Sequence, residues 1–386
     1  MAIKIDWKEK SNKVLINFED LFLFFNELVL DSRGNFLDPI ERKFGIIDCL
    51  YGNHLYDIVI GDKIKITVKI PFNEYPEAHH QQEYFINKSK KYRDIYPRVF
   101  KDFPDSLQIR EAILNSGILF KYYQDGFDKI LEELKDINFL EGDLPIALAF
   151  DTSTYRNQVF SQLYLYLMNN YRLSPKSINF LLSEGVKAEL MNFEDKYRQK
   201  DINNLKTVGK YPQIIDRFIN QNMLEARLIH SGHTDYLKSR KFTNTKQIPE
   251  GYARDQDTRI IRGLAKYVEK NNIKLHLFSH DKDFNDRAQG FPNVKSHILE
   301  KNLPLRNLGS NFECSWEIFF RLLYNLSILF GAIILRVKNK HEIIIFGIWV
   351  GKSASDWENE RLLIYSENSI LKNIKKELNL LYNVIL

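Results

Sequence analysis

Three short, largely apolar runs constrain the fold of this chain more than any other feature of its sequence. They occupy residues 144–150 (LPIALAF), 179–182 (NFLL) and 274–279 (KLHLFS), and helix-like patterns lie between them. Short apolar strands that alternate with helices are typical of a parallel sheet that is covered on both faces. We therefore predict an α/β domain at residues 143–300.

The residues on either side of that domain predict two further α+β regions. A chain of 386 residues is long enough for two or three domains of about 100–200 residues each. Residues 1–142 contain an alternating run, in which Ile64, Ile66 and Val68 are separated by lysine and threonine, as in a half-buried strand. A loop at 302–311 separates residues 312–386, whose apolar hairpin and helix suggest self-association into a homo-oligomer.

The composition of the chain excludes several classes of protein. Hydrophobic residues make up 44% of the chain, which excludes intrinsic disorder, and two distant cysteines make no disulfide framework. The net charge of +5 permits a nucleic-acid partner without requiring one. The most apolar stretch, 318–335, is interrupted by Arg321 and Asn325, which favours a buried helix over a membrane span. We expect a cytoplasmic protein with no membrane partner.

Acidic residues follow the apolar runs at the points where the strands end. Asp151 comes directly after the first run and Asp281 is the second residue after the third. The carboxyl ends of parallel strands face one crevice, so distant strands bring such residues together. Glu189 lies six residues beyond Ser183, a good helix N-cap, and Asp257 lies in the first turn of a later amphipathic helix.

Four converging carboxylates need a neutralising partner. A pair about 4 Å apart repels by roughly 4 kcal/mol at an effective dielectric near 20. Either some of them stay protonated or a divalent cation neutralises them, and oxygen-only ligands favour Mg²⁺ or Mn²⁺. Such ions activate water and stabilise the leaving oxygen of a phosphodiester, which is nuclease chemistry.

Four runs, FDTST (150–154), LLSEGVKAEL (181–190), DQDTRIIRGLA (255–265) and FSHDKDF (278–284), resemble in order the acidic motifs of PIN-domain nucleases. The resemblance implies a three-layer α/β fold and metal-dependent phosphodiester cleavage, most often of RNA. It implies catalytic and metal-binding roles for Asp151, Glu189, Asp257 and Asp281, and auxiliary roles for Asp283, Ser153, Ser279 and Asp255. The sequence departs from the pattern in the long interval before Asp257 and in His280, where Asn or Asp is more usual.

Each acid also has a structural alternative. Asp255 and Asp257 are placed to cap a helix, Glu189 to lie on a helix surface and Asp283 to sit in a solvated loop. Two basic stretches, 84–101 and 227–246, are candidates for nucleic-acid binding or for solvated faces. The basic residues concerned are Lys88, Lys90, Lys91, Arg93, Arg98, Lys238, Arg240 and Lys241.

Taken together, these patterns predict a metal-dependent endoribonuclease that binds Mg²⁺ or Mn²⁺ and acts on single-stranded RNA. Two alternatives stay open. One is a catalytically weak PIN-like scaffold that binds RNA. The other is a Toprim-like nuclease, in which an upstream glutamate acts with Asp281 and Asp283 and neither Asp151 nor Asp257 is needed.

Overall fold

The computed structural model describes residues 13–29, 43–48, 54–61, 63–69, 98–99, 102–171, 174–191, 194–209, 211–337, 341–366, 371 and 374–376. The chain forms two compact units. Unit 1 comprises Met1–Ser116, Asp195–Arg227 and Leu308–Leu386, and unit 2 comprises Gly117–Glu194 and Leu228–Asn307.

The strands are β1 (Lys13–Ile16), β2 (Lys43–Asp48), β3 (His54–Val59), β4 (Ile64–Val68), β5 (Ile146–Phe150), β6 (Asn179–Ser183), β7 (Asn244–Ile248), β8 (Lys274–Ser279), β9 (Val294–Ile298), β10 (Asn311–Cys314), β11 (Ala332–Val337), β12 (His341–Phe346) and β13 (Leu362–Ser366). The α-helices are α1 (Leu21–Val29), α2 (Ser106–Ile113), α3 (Phe120–Lys135), α4 (Thr152–Arg156), α5 (Val159–Tyr166), α6 (Glu184–Met191), α7 (Gln199–Val208), α8 (Pro212–Ile215), α9 (Leu224–Phe242), α10 (Gln256–Asn271), α11 (Lys282–Ala288), α12 (Asn302–Asn307), α13 (Trp316–Phe330) and α14 (Ala354–Glu358).

Unit 1 is built on one antiparallel sheet that both ends of the chain supply. Its strand order is β1-β13-β12-β11-β2-β3-β4-β10. The N-terminal and C-terminal regions that we predicted separately are therefore parts of one unit. The reason is that β1 pairs with β13 and β2 with β11, and pairings over such separations leave no local pattern in the sequence.

The alternating run of unit 1 and its apolar helix agree with the prediction. In β4, Ile64 and Ile66 are buried and Lys65 between them is exposed. The apolar stretch at 318–335 contains most of the almost wholly buried α13 and the start of β11. Gly331 separates the two elements with a φ of 79°, a value that glycine adopts readily. Among the described residues, no helix is long and apolar enough to cross a membrane.

Unit 2 is an α/β fold with a five-stranded, all-parallel sheet flanked by helices. The strand order is β7-β6-β5-β8-β9. Its three inner strands are the three apolar runs, and every residue of β5 is buried. The edge strands β7 and β9 are mostly polar, because an edge strand has water along one side. Neither forms an apolar run, so the sequence analysis did not predict them as strands.

The core of unit 2 is rich in aromatic side chains. Phe150 packs edge-to-face against Phe180 and Phe278, with ring centroids 5.2 and 5.5 Å apart, and Phe127 of α3 stacks on Phe278. Such pairs add roughly 0.5–1.5 kcal/mol each beyond the area that they bury. The stripe predicted for α10 is also confirmed, since Ile260, Ile261, Leu264, Ala265 and Val268 are all buried.

The long interval between Glu189 and Asp257 has a structural explanation. Residues 195–227 leave unit 2 and form part of unit 1. There the buried guanidinium of Arg227 donates to the carbonyls of Ile328 and Leu329 and to the hydroxyl of Tyr197. The interval is therefore an insertion with a structural role in the other unit.

Candidate active site

The two aspartates that follow β5 and β8 lie where the strand order of unit 2 reverses. The chain runs outward from β5 through β6 to β7, then returns to β8 on the other side of β5 and continues to β9. Asp151 follows β5 and Asp281 follows β8, and the backbone N–H of Asp151 donates to the carbonyl of Phe278 at 3.1 Å. Ligands of open α/β sheets bind at such a reversal, outside the carboxyl ends of the strands.

A cavity of about 180 Å³ opens at this point. It is lined by Asp151, Thr152, Ser153, Arg156, Glu189, Asp257, Ile260, Asp281 and Phe284. The structure therefore brings together all four acids that the sequence predicted as catalytic. The four acids belong to four separate elements. Asp151 and Asp281 follow β5 and β8, and Glu189 and Asp257 lie on α6 and α10.

Asp151 is held more completely than any other acid of the cavity. It is 5% exposed and is the N-cap of α4, where it accepts from the backbone N–H of Thr154 at 2.8 Å. Its carboxylate also accepts from the hydroxyls of Thr154 (2.6 Å), Ser153 (2.9 Å) and Ser279 (2.5 Å). Burial raises the pKa of Asp151, although these hydrogen bonds favour its charged form.

Two serines connect Asp151 to the segment that follows β8. The Ser153 hydroxyl accepts from the backbone N–H of His280 at 3.0 Å, and the Ser279 hydroxyl accepts from that of Asp281 at 2.8 Å. Because each hydroxyl also donates to Asp151, the ends of the two strands are linked through this carboxylate. These are the two hydroxyl residues that the resemblance implied as auxiliary.

Glu189 and Asp257 face the cavity from two helices and carry raised pKa values. Burial raises the pKa of Glu189 first, and repulsion from Asp257, Asp151 and Glu250 raises it further, against the hydrogen bond from the Thr152 hydroxyl. Burial also raises the pKa of Asp257, while Arg287, 3.7 Å away, opposes the shift. The cavity thus holds more negative charge than its surroundings neutralise.

The remaining predicted acids have other surroundings. Asp281 is the N-cap of α11 and accepts from the backbone N–H of Asp283 at 2.8 Å. Asp283 is exposed and is not among the residues that line the cavity. Asp255 is also outside the lining; it caps α10, pairs with Arg287 at 2.6 Å, and has a lowered pKa because Thr258 donates to it.

The structure adds lining residues that the sequence analysis missed. Thr152 and Arg156 lie four residues apart on α4, and residues at that spacing share a helix face. Thr152 donates to Glu189, and Arg156 is the one basic residue among the described residues that line the cavity. Nothing in the sequence around these two residues distinguishes them from other helix residues.

The predicted nucleic-acid-binding residues lie away from this cavity or outside the described residues. Lys88, Lys90, Lys91 and Arg93 are outside them. Arg98 belongs to unit 1 and pairs there with Asp195 and Asp201. On α9, Lys238 donates to Ser161 at 3.3 Å, and Arg240 and Lys241 are exposed, but none of the three lines the cavity.

The carboxylates are not arranged as a ready-made set of metal ligands. Within the part of the chain that the structure describes, no group of three or more His, Cys, Asp or Glu side chains is close enough to hold an ion.

Comparisons with known proteins find no match: no protein-family model matches the chain, and neither a curated protein nor a solved structure is significantly similar to it. Functional inference therefore depends on the residues of the cavity.

Proposed function

We propose that unit 2 is a metal-dependent phosphodiesterase of PIN-domain type, and specifically an endoribonuclease. The observation that carries this proposal is that four acids from four separate sequence motifs line one cavity at the strand reversal. Asp151 and Asp281 also cap helices, but capping alone does not bring Glu189 and Asp257 into the same cavity. The raised pKa values of Glu189 and Asp257 add to the argument, because burial and then repulsion from neighbouring carboxylates disfavour their ionised forms.

The donor atoms of the cavity fit Mg²⁺ or Mn²⁺ in kind. All four acids offer oxygen, which these hard cations prefer. The wide spacing of the carboxylates fits an ion that is held by one or two of them and keeps several of its waters, as Mg²⁺ commonly does. Asp151, Glu189, Asp257 and Asp281 are the residues that would hold it, directly or through those waters.

The chain's own residues supply the other parts of the reaction. A divalent cation, when bound, neutralises the carboxylates and acidifies water. A carboxylate with a raised pKa, such as Glu189, is suited to accept a proton from the attacking water. Arg156 lines the same cavity, and its guanidinium would pair with a phosphate of the substrate. Ser153, Thr154 and Ser279 fix the orientation of Asp151.

In-line attack by water on phosphorus, with the P–O3′ bond breaking and O3′ taking up a proton, gives a 5′-phosphate and a 3′-hydroxyl. The test is cleavage of end-labelled single-stranded RNA by the full-length protein, in Mn²⁺ and in chelator, with DNA of the same sequence as a second substrate. Asp151→Asn should abolish cleavage. Glu184→Gln is the matched control, because Glu184 lies on the same helix as Glu189, is exposed and does not line the cavity. Cleavage that persists in chelator, or that Asp151→Asn leaves unchanged, contradicts the proposal.

The second candidate function is a non-catalytic scaffold that binds RNA. The spacing of the carboxylates favours it, because no three described acids are close enough to share an ion directly. A scaffold would bind RNA with no cleavage in Mn²⁺ and no effect of Mn²⁺ on thermal melting. The Toprim-like alternative is less well supported, because it requires Asp283, which is outside the cavity.

A further inference from the structure

The loop at residues 249–255, which we name the Tyr252 loop, presents an exposed aromatic ring at the end of the sheet where the cavity opens. The loop follows β7, so it begins at the carboxyl end of the parallel strands, as Asp151 and Asp281 do. The side chain of Tyr252 is 97% exposed. A ring in this position is available to a ligand that enters the cavity from solvent.

The backbone of the Tyr252 loop is pressed against α10. The N–H of Gly251 donates to the carbonyl of Arg259 at 2.9 Å, and Arg262 donates to the carbonyl of Tyr252 at 2.6 Å. A Cβ on Gly251 would lie 2.6 Å from the Cβ of Arg262, and one on Gly263 would lie 2.2 Å from the carbonyl oxygen of Pro249. The two backbones approach this closely only because Gly251 and Gly263 have no side chain. The loop backbone that carries Tyr252 is therefore held in place by packing.

The same loop touches both helices that carry cavity carboxylates. Glu250 accepts from Gln256 of α10 at 2.8 Å. A Cβ on Gly185 of α6 would lie 2.9 Å from the Glu250 carboxylate, and Glu250 contributes to the raised pKa of Glu189. The loop therefore lies between the start of α6 and the start of α10, next to the cavity that Glu189 and Asp257 line.

Two arginines lie near Tyr252, one in the same loop and one on α10. Arg254 and Arg262 are exposed, and Arg262 is bonded to the Tyr252 carbonyl. Arg287 is also exposed and pairs with Asp255 and Asp257 at the margin of the cavity. An aromatic face for a base, with guanidinium groups for the adjoining phosphates, is the arrangement that binds single-stranded nucleic acid. A duplex would not offer it an unstacked base.

We propose that Tyr252 stacks on a base of a single-stranded nucleic acid whose backbone passes over the cavity, with Arg254 and Arg262 contacting its phosphates. The inference rests on the proposed function, because it names the strand state of the substrate at the same site. It places the stacked nucleotide next to the phosphodiester that is cleaved. The ring contributes to binding, and the carboxylates contribute to the chemistry.

The test is fluorescence anisotropy with a labelled single-stranded oligonucleotide, in chelator so that nothing is cleaved, using the full-length protein. Stacking contributes about 1–3 kcal/mol per base, so Tyr252→Ala should raise Kd about 5- to 150-fold, and Tyr252→Trp should restore binding. Arg254→Ala should lower the slope of log K against log salt by about 0.7, whereas Tyr252→Ala should leave the slope unchanged. The matched control is Phe139→Ala. Phe139 is also exposed, at 65%, but it precedes β5 and so lies toward the amino ends of the strands.

Equal affinity of wild type and Tyr252→Ala for the single strand overturns the inference, and so does equal affinity of wild type for a duplex of the same sequence. Cleavage is measured separately in Mn²⁺, so the two proposals fail in different ways. Tyr252-dependent binding without cleavage overturns the nuclease proposal and leaves the stacking site. Cleavage that Tyr252→Ala does not alter, together with unaltered binding, leaves the nuclease and overturns the stacking site.

Discussion

Replacing Glu189 by glutamine should stabilise the protein in chelator, because it removes one of several negative charges that face the same cavity. Glutamine keeps an oxygen that accepts from the Thr152 hydroxyl, so the change removes charge and little else. Burial and repulsion from Asp257, Asp151 and Glu250 all disfavour the ionised form of Glu189. The sign of the effect therefore follows from its surroundings.

The magnitude follows from Coulomb's law. Two carboxylates about 8 Å apart repel by about 2 kcal/mol at an effective dielectric near 20. Screening over a Debye length of about 8 Å leaves somewhat under 1 kcal/mol for each pair. Three such neighbours make the gain about 2 kcal/mol. At roughly 2–4 °C per kcal/mol for a unit of about 150–250 residues, Tm should rise by about 4–8 °C.

The assay is thermal unfolding followed by circular dichroism, at pH 7, in chelator and in Mn²⁺. Mn²⁺ should raise the Tm of wild type more than that of Glu189→Gln, since the variant has less charge to neutralise. Glu184→Gln serves as the control and should not raise Tm, because Glu184 is exposed and lies in the first turn of α6, where a negative charge is favourable. A lower Tm for Glu189→Gln in chelator, or an identical response of both proteins to Mn²⁺, would refute the reasoning.

Two further predictions concern stability in unit 2. Burial lowers the pKa of His276 and His297 to about 4, so their neutral forms stabilise the fold fully above the ordinary pKa of 6.5, and that stability is lost as pH falls towards 4. Between pH 7 and pH 5, the free energy of unfolding of His297→Gln should therefore fall by about 1 kcal/mol less than that of wild type. Urea titrations measure both, and equal falls would contradict the prediction. Gly263→Ala should destabilise by about 1–3 kcal/mol because its Cβ meets the Pro249 carbonyl. Gly126→Ala, on α3 with nothing within 4 Å, should instead stabilise by about 0.5–1 kcal/mol, and equal effects of the two substitutions would disprove the close contact.

The inner strands of unit 2 and the acids that follow them were predictable, whereas the edge strands were not. β5, β6 and β8 are apolar over their length because both of their faces are covered. β7 and β9 are polar, and what makes them strands is pairing with β6 and β8. The helical stretch that begins with α2 and continues in α3 is interrupted at Gly117, where φ is 123°.

The acids of the cavity and Ser153 were predictable from the sequence, and its remaining members were not. Asp151, Glu189, Asp257 and Asp281 stand at recognisable positions relative to strand ends and helix starts. Thr152 and Arg156 are ordinary helix residues by sequence and gain their importance from facing the same cavity as those acids. Tyr252 has no distinguishing neighbours in the sequence, and its exposure depends on the contact between its loop and α10.

Local sequence suffices to specify the apolar strands, the amphipathic helices and the order of the acidic motifs, since each depends on residues only a few positions apart. The reversal of strand order between β5 and β8 cannot be read in this way, and neither can the joining of both chain ends in one sheet or the loss of residues 195–227 to the other unit. Those features depend on pairing between segments that are distant in the chain, where many arrangements satisfy the same local patterns and only the packing of the whole molecule selects one.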